Sequence, residues 1–258
     1  MPTFSRQALR RALGQSWLRD TYVGTSDLAL STGNTVQARD ANLADVSLSG
    51  QGFYVGAFLR IGSSDYRVAS FNVGSGAVVS GQVLAANLPV GAFELATLLS
   101  AADKDRALDD SLQRIRIRQE VGITTVSGAR YYDLDAAASP HRIADVLNAY
   151  AFADPSNTGN RDRRSFSTTP VVVNTATGAE VRIDSALDLS ALLVVDALLE
   201  LTLAGGDTAT VNIPDERWVL SGAAAKCWDL LAQKAPGTNA RQHEARRDDA
   251  ARTFSDLS

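Results

Sequence analysis

The chain has 258 residues, of which 45% are hydrophobic and 21% charged, with a formal net charge of −4. That length can bury one large core or two modest ones, and the apolar content excludes global disorder. The acidic balance excludes a surface that is basic throughout, and leaves only a local basic patch for any nucleic-acid contact. The lone cysteine, Cys227, excludes an intrachain disulfide and a thiolate metal centre; within "AAAKCWDLL" it reads as a buried structural thiol.

Residues 3–19 are predicted helical, because Phe4, Ala8, Leu9, Ala12, Leu13 and Trp17 recur at three- and four-residue steps, with Thr3 as N-cap. Arg6, Arg10 and Arg11 fall off that stripe and read as a solvated face. This amphipathic start is no secretory leader, and no apolar run is long enough to cross a membrane as a helix. A soluble protein made in a cytoplasm is expected.

From Thr21 the pattern changes to short strands and glycine turns. "STGNT" reads as a turn, "GFYVGAFLRIG" as a strand, and "SSDYRVASFNVGSGAVVSG" as a hairpin reversing at Val73–Gly76. Its Tyr66 and Val68 share one face, and Arg67, Ala69 and Phe71 the other. A helix is predicted from Ser100, where "SAAD" forms a capping box and Ala107, Leu108, Leu112 and Ile115 make the stripe. Asp103, Asp105, Asp109 and Asp110 are read as acids of a helix start rather than a metal cluster, with Arg114, Arg116 and Arg118 at its C-terminal end.

Residues 120–213 are predicted β-rich: "EVGITTVSGARYYDLD" and "RIADVLNAYAF" as strands, "ADPSNTGNRDRRS" as a polar loop, and a hairpin about Thr177-Gly178. The run 189–203 fits a strand or a buried helix. It is taken as a strand, with "AGGD" as a hairpin turn and "TATVN" as its partner. The closing residues form two helices. Trp218, Ala225, Trp228 and Leu231 make a stripe on the first, which Pro236-Gly237 ends. The second carries little apolar area beyond alanines and Phe254, so it is expected to dock through charges, and its removal to leave the rest folded.

Motifs of chemistry are missing. There is no G-x-S-x-G elbow and no phosphate-binding P-loop, and "GSGAVVSG" is a turn. His141 and His243 occur in unrelated contexts, and Asp133 with Asp135 is a carboxylate pair of the kind any acidic sequence offers. No catalytic residue, cofactor or metal is expected. Tyr131, Tyr132 or Tyr150 could supply stacking faces if the chain were a carbohydrate- or surface-binding β-module.

The order of parts carries a resemblance. A helical start leads to "GFYVGAFLRIG…DYRVASFNVGSGAVV…LPVGAFEL", then "LDDSLQRIRI", "YYDLDAAASPHRIADVLNAYAF", "VNIPDERWVLSGAAAKCWDLLAQ" and a charged tail. This resembles the head-to-tail connector (adaptor or neck) proteins of tailed bacteriophages. The resemblance implies an α+β fold: a helical bundle of N-terminal (1–20), middle (98–119) and C-terminal (214–258) helices, with β-rich insertions at 21–97 and, sandwich-like, at 120–213. Small adaptors lack the second insertion.

It implies a structural virion protein of the neck, synthesised in the host cytoplasm, which forms a ring, commonly dodecameric, under the portal protein and above tail or nozzle proteins. DNA would pass its channel without sequence-specific binding, and no membrane is involved. The bundle core would be Trp17, Leu112, Trp218, Trp228 and Leu231. Arg241, Arg246, Arg247, Arg252 and Phe254 would face the portal or a neighbouring subunit. The alternatives are another tail or baseplate component and the binding module above.

Overall fold

In the computed structural model the chain opens with a strand, β1 (Thr3–Ser5), where the periodicity predicts helix. Residues 1–25, 35–37, 55–72, 77–82, 92–124, 129–139, 141–152, 163–165, 171–175, 178–182 and 192–257 are described by the structure. They fall into two units, Met1–Ser111 with Gly205–Ser258, and Leu112–Ala204. Helices and antiparallel sheets occur together, so the fold class is α+β.

In the first unit β1 pairs with β15 (Thr210–Asn212), and Thr3 donates from its hydroxyl to the Asn212 Oδ1 at 2.6 Å. Thr3 is therefore not the helix cap. That role falls to Ser5, whose Oγ accepts the Ala8 N–H at 3.1 Å. Helix α1 (Arg6–Ala12) widens into a π-helix over Leu13–Leu18, which stops at Arg19 in the left-handed conformation, φ +53°. Gly14 permits this packing: a Cβ there would stand 2.6 Å from the Thr21 Cβ. Arg6 and Arg10 are 7% and 1% exposed, which corrects the reading of a solvated arginine face.

Strands β2 (Thr21–Thr25), β3 (Thr35–Gln37), β4 (Phe58–Ile61), β5 (Ser64–Asn72), β6 (Ala77–Ser80) and β7 (Ala92–Ala96) form one sheet in the order β2-β7-β4-β5-β6-β3. The two-residue turn between β4 and β5 uses Gly62 at φ +58°. Alternation holds where it is described: Tyr66 and Val68 are buried, Arg67 and Ala69 exposed. Turn residues 31–34, Val73–Gly76 and Thr177 lie outside the described residues.

Helix α2 (Ala101–Leu112) starts where the capping box predicts, with the Ser100 Oγ accepting the Asp103 N–H at 3.1 Å. Ala107, Leu108, Leu112 and Ile115 are buried. The helix ends at Leu112, so Arg116 and Arg118 do not serve its C-terminal pole; they lie on β8 (Arg116–Thr124).

The second unit holds β8, β9 (Tyr131–Asp133), α3 (Leu134–Ala138), β10 (Arg142–Phe152), β11 (Arg163–Ser165), β12 (Val171–Thr175), β13 (Gly178–Arg182) and β14 (Leu192–Glu200). Its sheets are ordered β11-β10-β14-β8 and β12-β13-β9. One core joins them, from Val121, Val146 and Val195 to Tyr132, Leu134 and Val181. The run 192–200 is a strand, and Leu193 to Ala197 are buried without alternation because both faces are covered: Leu193, Val195 and Ala197 enter the core, while Val194 packs with Tyr150 and Asp196 pairs with Arg118. Both of its edges are taken by β10 and β8, so "TATVN" is not its partner and pairs with β1 instead.

The chain then returns to the first unit with α4 (Glu216–Lys234) and α5 (Thr238–Leu257). The Asp215 carboxylate caps α4 by accepting the Arg217 N–H at 2.9 Å. Gly237, at φ +56°, reverses the chain between the two helices.

Candidate interaction site on the helical hairpin

Helices α4 and α5 run antiparallel: Trp228 meets His243 and Arg246, Asp229 meets Arg247, and Gly222 meets Phe254. The tail helix is thus not held by charge alone. Ala250 is 2% exposed, and small residues on α4 let the Phe254 ring approach the backbone. The His243 ring stacks on the Trp228 indole with centroids 5.3 Å apart, and the Arg246 guanidinium stands 4.8 Å from the same ring.

Of the expected interface residues, Arg241, Arg246 and Arg252 are exposed. Arg247 pairs with Asp229 at 3.5 Å and Asp248 at 2.8 Å, and Phe254 is half-buried against Gly222. Of the expected core residues, Leu112, Trp228 and Leu231 are buried, whereas Trp17 and Trp218 are half-buried. Trp17 and Trp228 line one groove of about 310 Å³ between the π-helix and the hairpin. Leu18 and Ala250 form the rest of its floor, and Arg19, Arg246 and Asp249 its rim.

Behind the N-terminal helix lies an ion network that local pattern cannot reveal. Arg10 donates to Glu94 (3.0 Å), Asp105 (3.0 Å) and Asp207 (2.8 Å); Arg11 reaches Glu94, and Arg60 reaches Asp207 and Asp65. Arg6 pairs with Asp109 at 2.9 Å. Burial disfavours the Arg10 charge, but hydrogen bonds to Glu94 and Asp207 outweigh it and raise its pKa. Burial likewise pushes Asp207 up, yet Arg10 and Arg60 pull its carboxyl down to about 2. A second buried pair, Lys104 with Asp20 at 2.7 Å, is 1% and 0% exposed. The network ties α1 to α2, β4, β7 and the 205–209 turn.

The remaining residues singled out are dispersed. His141 accepts the Thr202 N–H at Nδ1, 3.3 Å away, and burial lowers its pKa. Asp133 caps α3 by accepting the Ala136 N–H at 3.0 Å. Tyr132 and Tyr150 are buried, and the Tyr150 hydroxyl donates to Glu120 at 2.6 Å, so neither offers a stacking face; Tyr131 is 52% exposed. Burial pushes the Cys227 thiol up to about 12. Among the described residues no cluster of three or more His, Cys, Asp or Glu could hold a metal, and no helix is long and apolar enough to cross a membrane.

No protein-family model matches the sequence, and no curated protein matches it significantly.

Proposed function

We propose that this chain is a structural subunit of a bacteriophage neck, a head-to-tail adaptor that forms a ring beneath the portal and lets DNA pass. One observation carries the reading: helices from the start, middle and end of the chain meet in one unit, while β-rich segments loop out between them in sequence. The contacts are specific. Arg6 of α1 pairs with Asp109 of α2, Ser111 of α2 donates to the Val219 carbonyl of α4 at 2.8 Å, and the π-helix shares a groove with α4 and α5. These contacts support the reading of an adaptor-like helical bundle with β-rich insertions.

The role is structural and needs no cofactor. Its partners are further copies of the chain, the portal protein and the next tail or nozzle protein. Electron micrographs and mass measurement of the purified chain, alone and mixed with portal-bearing heads, test the reading. Closed rings, commonly of twelve copies, seated on the heads are expected. A chain that neither forms rings nor binds heads would overturn it.

A further inference from the structure

Among the described residues β8 is an edge of its sheet, whose order is β11-β10-β14-β8. Its register with β14 runs from Arg116 to Thr124 without a shift, so no bulge twists the edge away, and the strand holds no proline. Arg116, Arg118, Gln119, Glu120, Gly122 and Thr124 are exposed. An edge strand leaves the backbone N–H and carbonyl of every second residue unpaired, and a long, regular edge is a template for a further strand.

The charges on this edge repel most strands and fit one. Arg116, Arg118 and Glu120 share a face of β8. Arg118 donates to Asp196 of β14 at 2.9 and 2.6 Å. Glu120 stands directly opposite that same Asp196 in the register, and two carboxylates so placed are an unfavourable cross-strand pair. Among the described residues Glu120 accepts the Tyr150 hydroxyl at 2.6 Å and forms no salt bridge. A cation brought to Glu120 from outside the sheet would relieve it.

We infer that β8 pairs antiparallel with β8 of a second copy, about a two-fold axis through Gln119, and so joins the two sheets into one. In this register Arg118 of each copy faces Glu120 of the other, so the charge pair is made twice. Ile117 faces Val121 on the other side of the strand, and Arg116 faces Gly122. Facing residues have the same parity along the strand, so the backbone groups left unpaired on one copy meet those left unpaired on the other. An axis between two residues would break that parity. An axis at Arg118 or Glu120 would set like charges face to face.

The contact is isologous and closes at two copies. It does not rest on the ring reading proposed above. Copies in a cyclic ring all point one way along its axis, whereas a two-fold reverses that direction, so the pair is a form of the chain outside the ring.

The test is sedimentation of the full-length chain over a range of concentration, where a dimer is expected. Glu120→Lys and Arg118→Glu each set like charges opposite one another and should weaken the dimer by about tenfold or more. An equimolar mixture of these two variants should form a heterodimer, because both charge pairs are then restored. Circular-dichroism melts verify folding. If Arg118→Glu melts early through loss of its bond to Asp196, Gln119→Cys carries the test. Under mild oxidation Gln119→Cys should cross-link into a covalent dimer, since the two copies of residue 119 stand opposite each other, and Thr124→Cys should not. A chain that stays monomeric, a dimer indifferent to Glu120→Lys, or a Gln119→Cys variant that fails to cross-link would each overturn the inference. Rings seated on heads, formed from a chain that shows no such dimer, sink the inference alone. A β8 dimer that never forms rings or binds heads sinks the ring reading alone.

Discussion

Phe254 of α5 lies against Gly222 of α4 so closely that a Cβ at position 222 would stand 2.8 Å from the Phe254 Cδ2. The Ser111 hydroxyl, which donates to the Val219 carbonyl at 2.8 Å, crowds the same point. Three helices therefore meet over one hydrogen atom. Gly222→Ala is expected to destabilise the chain by about 1–3 kcal/mol, through overpacking that neither neighbour can relieve cheaply. Urea unfolding checks this; an unchanged midpoint would mean that the hairpin yields without loss.

Trp228 is 2% exposed, beneath His243 and Arg246. Trp228→Ala is expected to cost about 3–5 kcal/mol. Removal of residues 239–258 uncovers the same indole, so it should lower the melting temperature, contrary to the expectation from composition that the tail is dispensable for folding. A melt that stays put after truncation would return α5 to the status of a loosely held tail.

Lys104 and Asp20 form a buried pair, and Asp20 also accepts the Thr21 hydroxyl at 2.8 Å and the Leu99 N–H at 3.3 Å. Lys104→Ala should cost about 3–5 kcal/mol, because it leaves a carboxylate in the interior without its cation. The double variant Lys104→Met with Asp20→Asn should cost less than the sum of the two single changes. A double-mutant cycle with no coupling energy would refute this account of the pair.

Asp207 is expected to contribute to acid stability. Its carboxyl titrates at about 2 instead of the ordinary 3.8, since Arg10 and Arg60 outweigh the effect of burial. A folded-state value below the unfolded one means that its stabilisation is complete above the unfolded value and is lost as pH falls through the folded one. Asp105 opposes it in part: burial outweighs Arg10 and raises its pKa, so its contribution weakens as pH rises. Asp207→Asn is expected to lower stability at neutral pH by about 2 kcal/mol and to flatten the acid limb. Unfolding free energies measured across that limb decide; an unaltered slope would remove Asp207 from the account.

The Cys227 thiol, fully buried and pushed up to about 12, should resist disulfide-exchange reagents at about pH 8 until the chain unfolds. Labelling faster than unfolding would place it at an accessible surface.

Features set by near neighbours were legible from the residues alone. Alternation in β5 put Tyr66 and Val68 on one face, which the structure buries, the Ser100 capping box started α2, and Pro236-Gly237 ended α4. Each rests on interactions within a few residues, and those leave a period or a cap in the sequence. Arg10 left no such mark. Its carboxylate partners lie 84, 95 and 197 residues away, and an arginine off an apolar stripe looks the same whether it faces water or three acids. The strand at 210–212 was visible, but its partner was decided by which sheet edges were already filled. The groove likewise exists only because a π-helix from one end of the chain is laid beside a hairpin from the other. Local pattern reports which face of an element is apolar; only packing decides what that face, and the polar residues beside it, will meet.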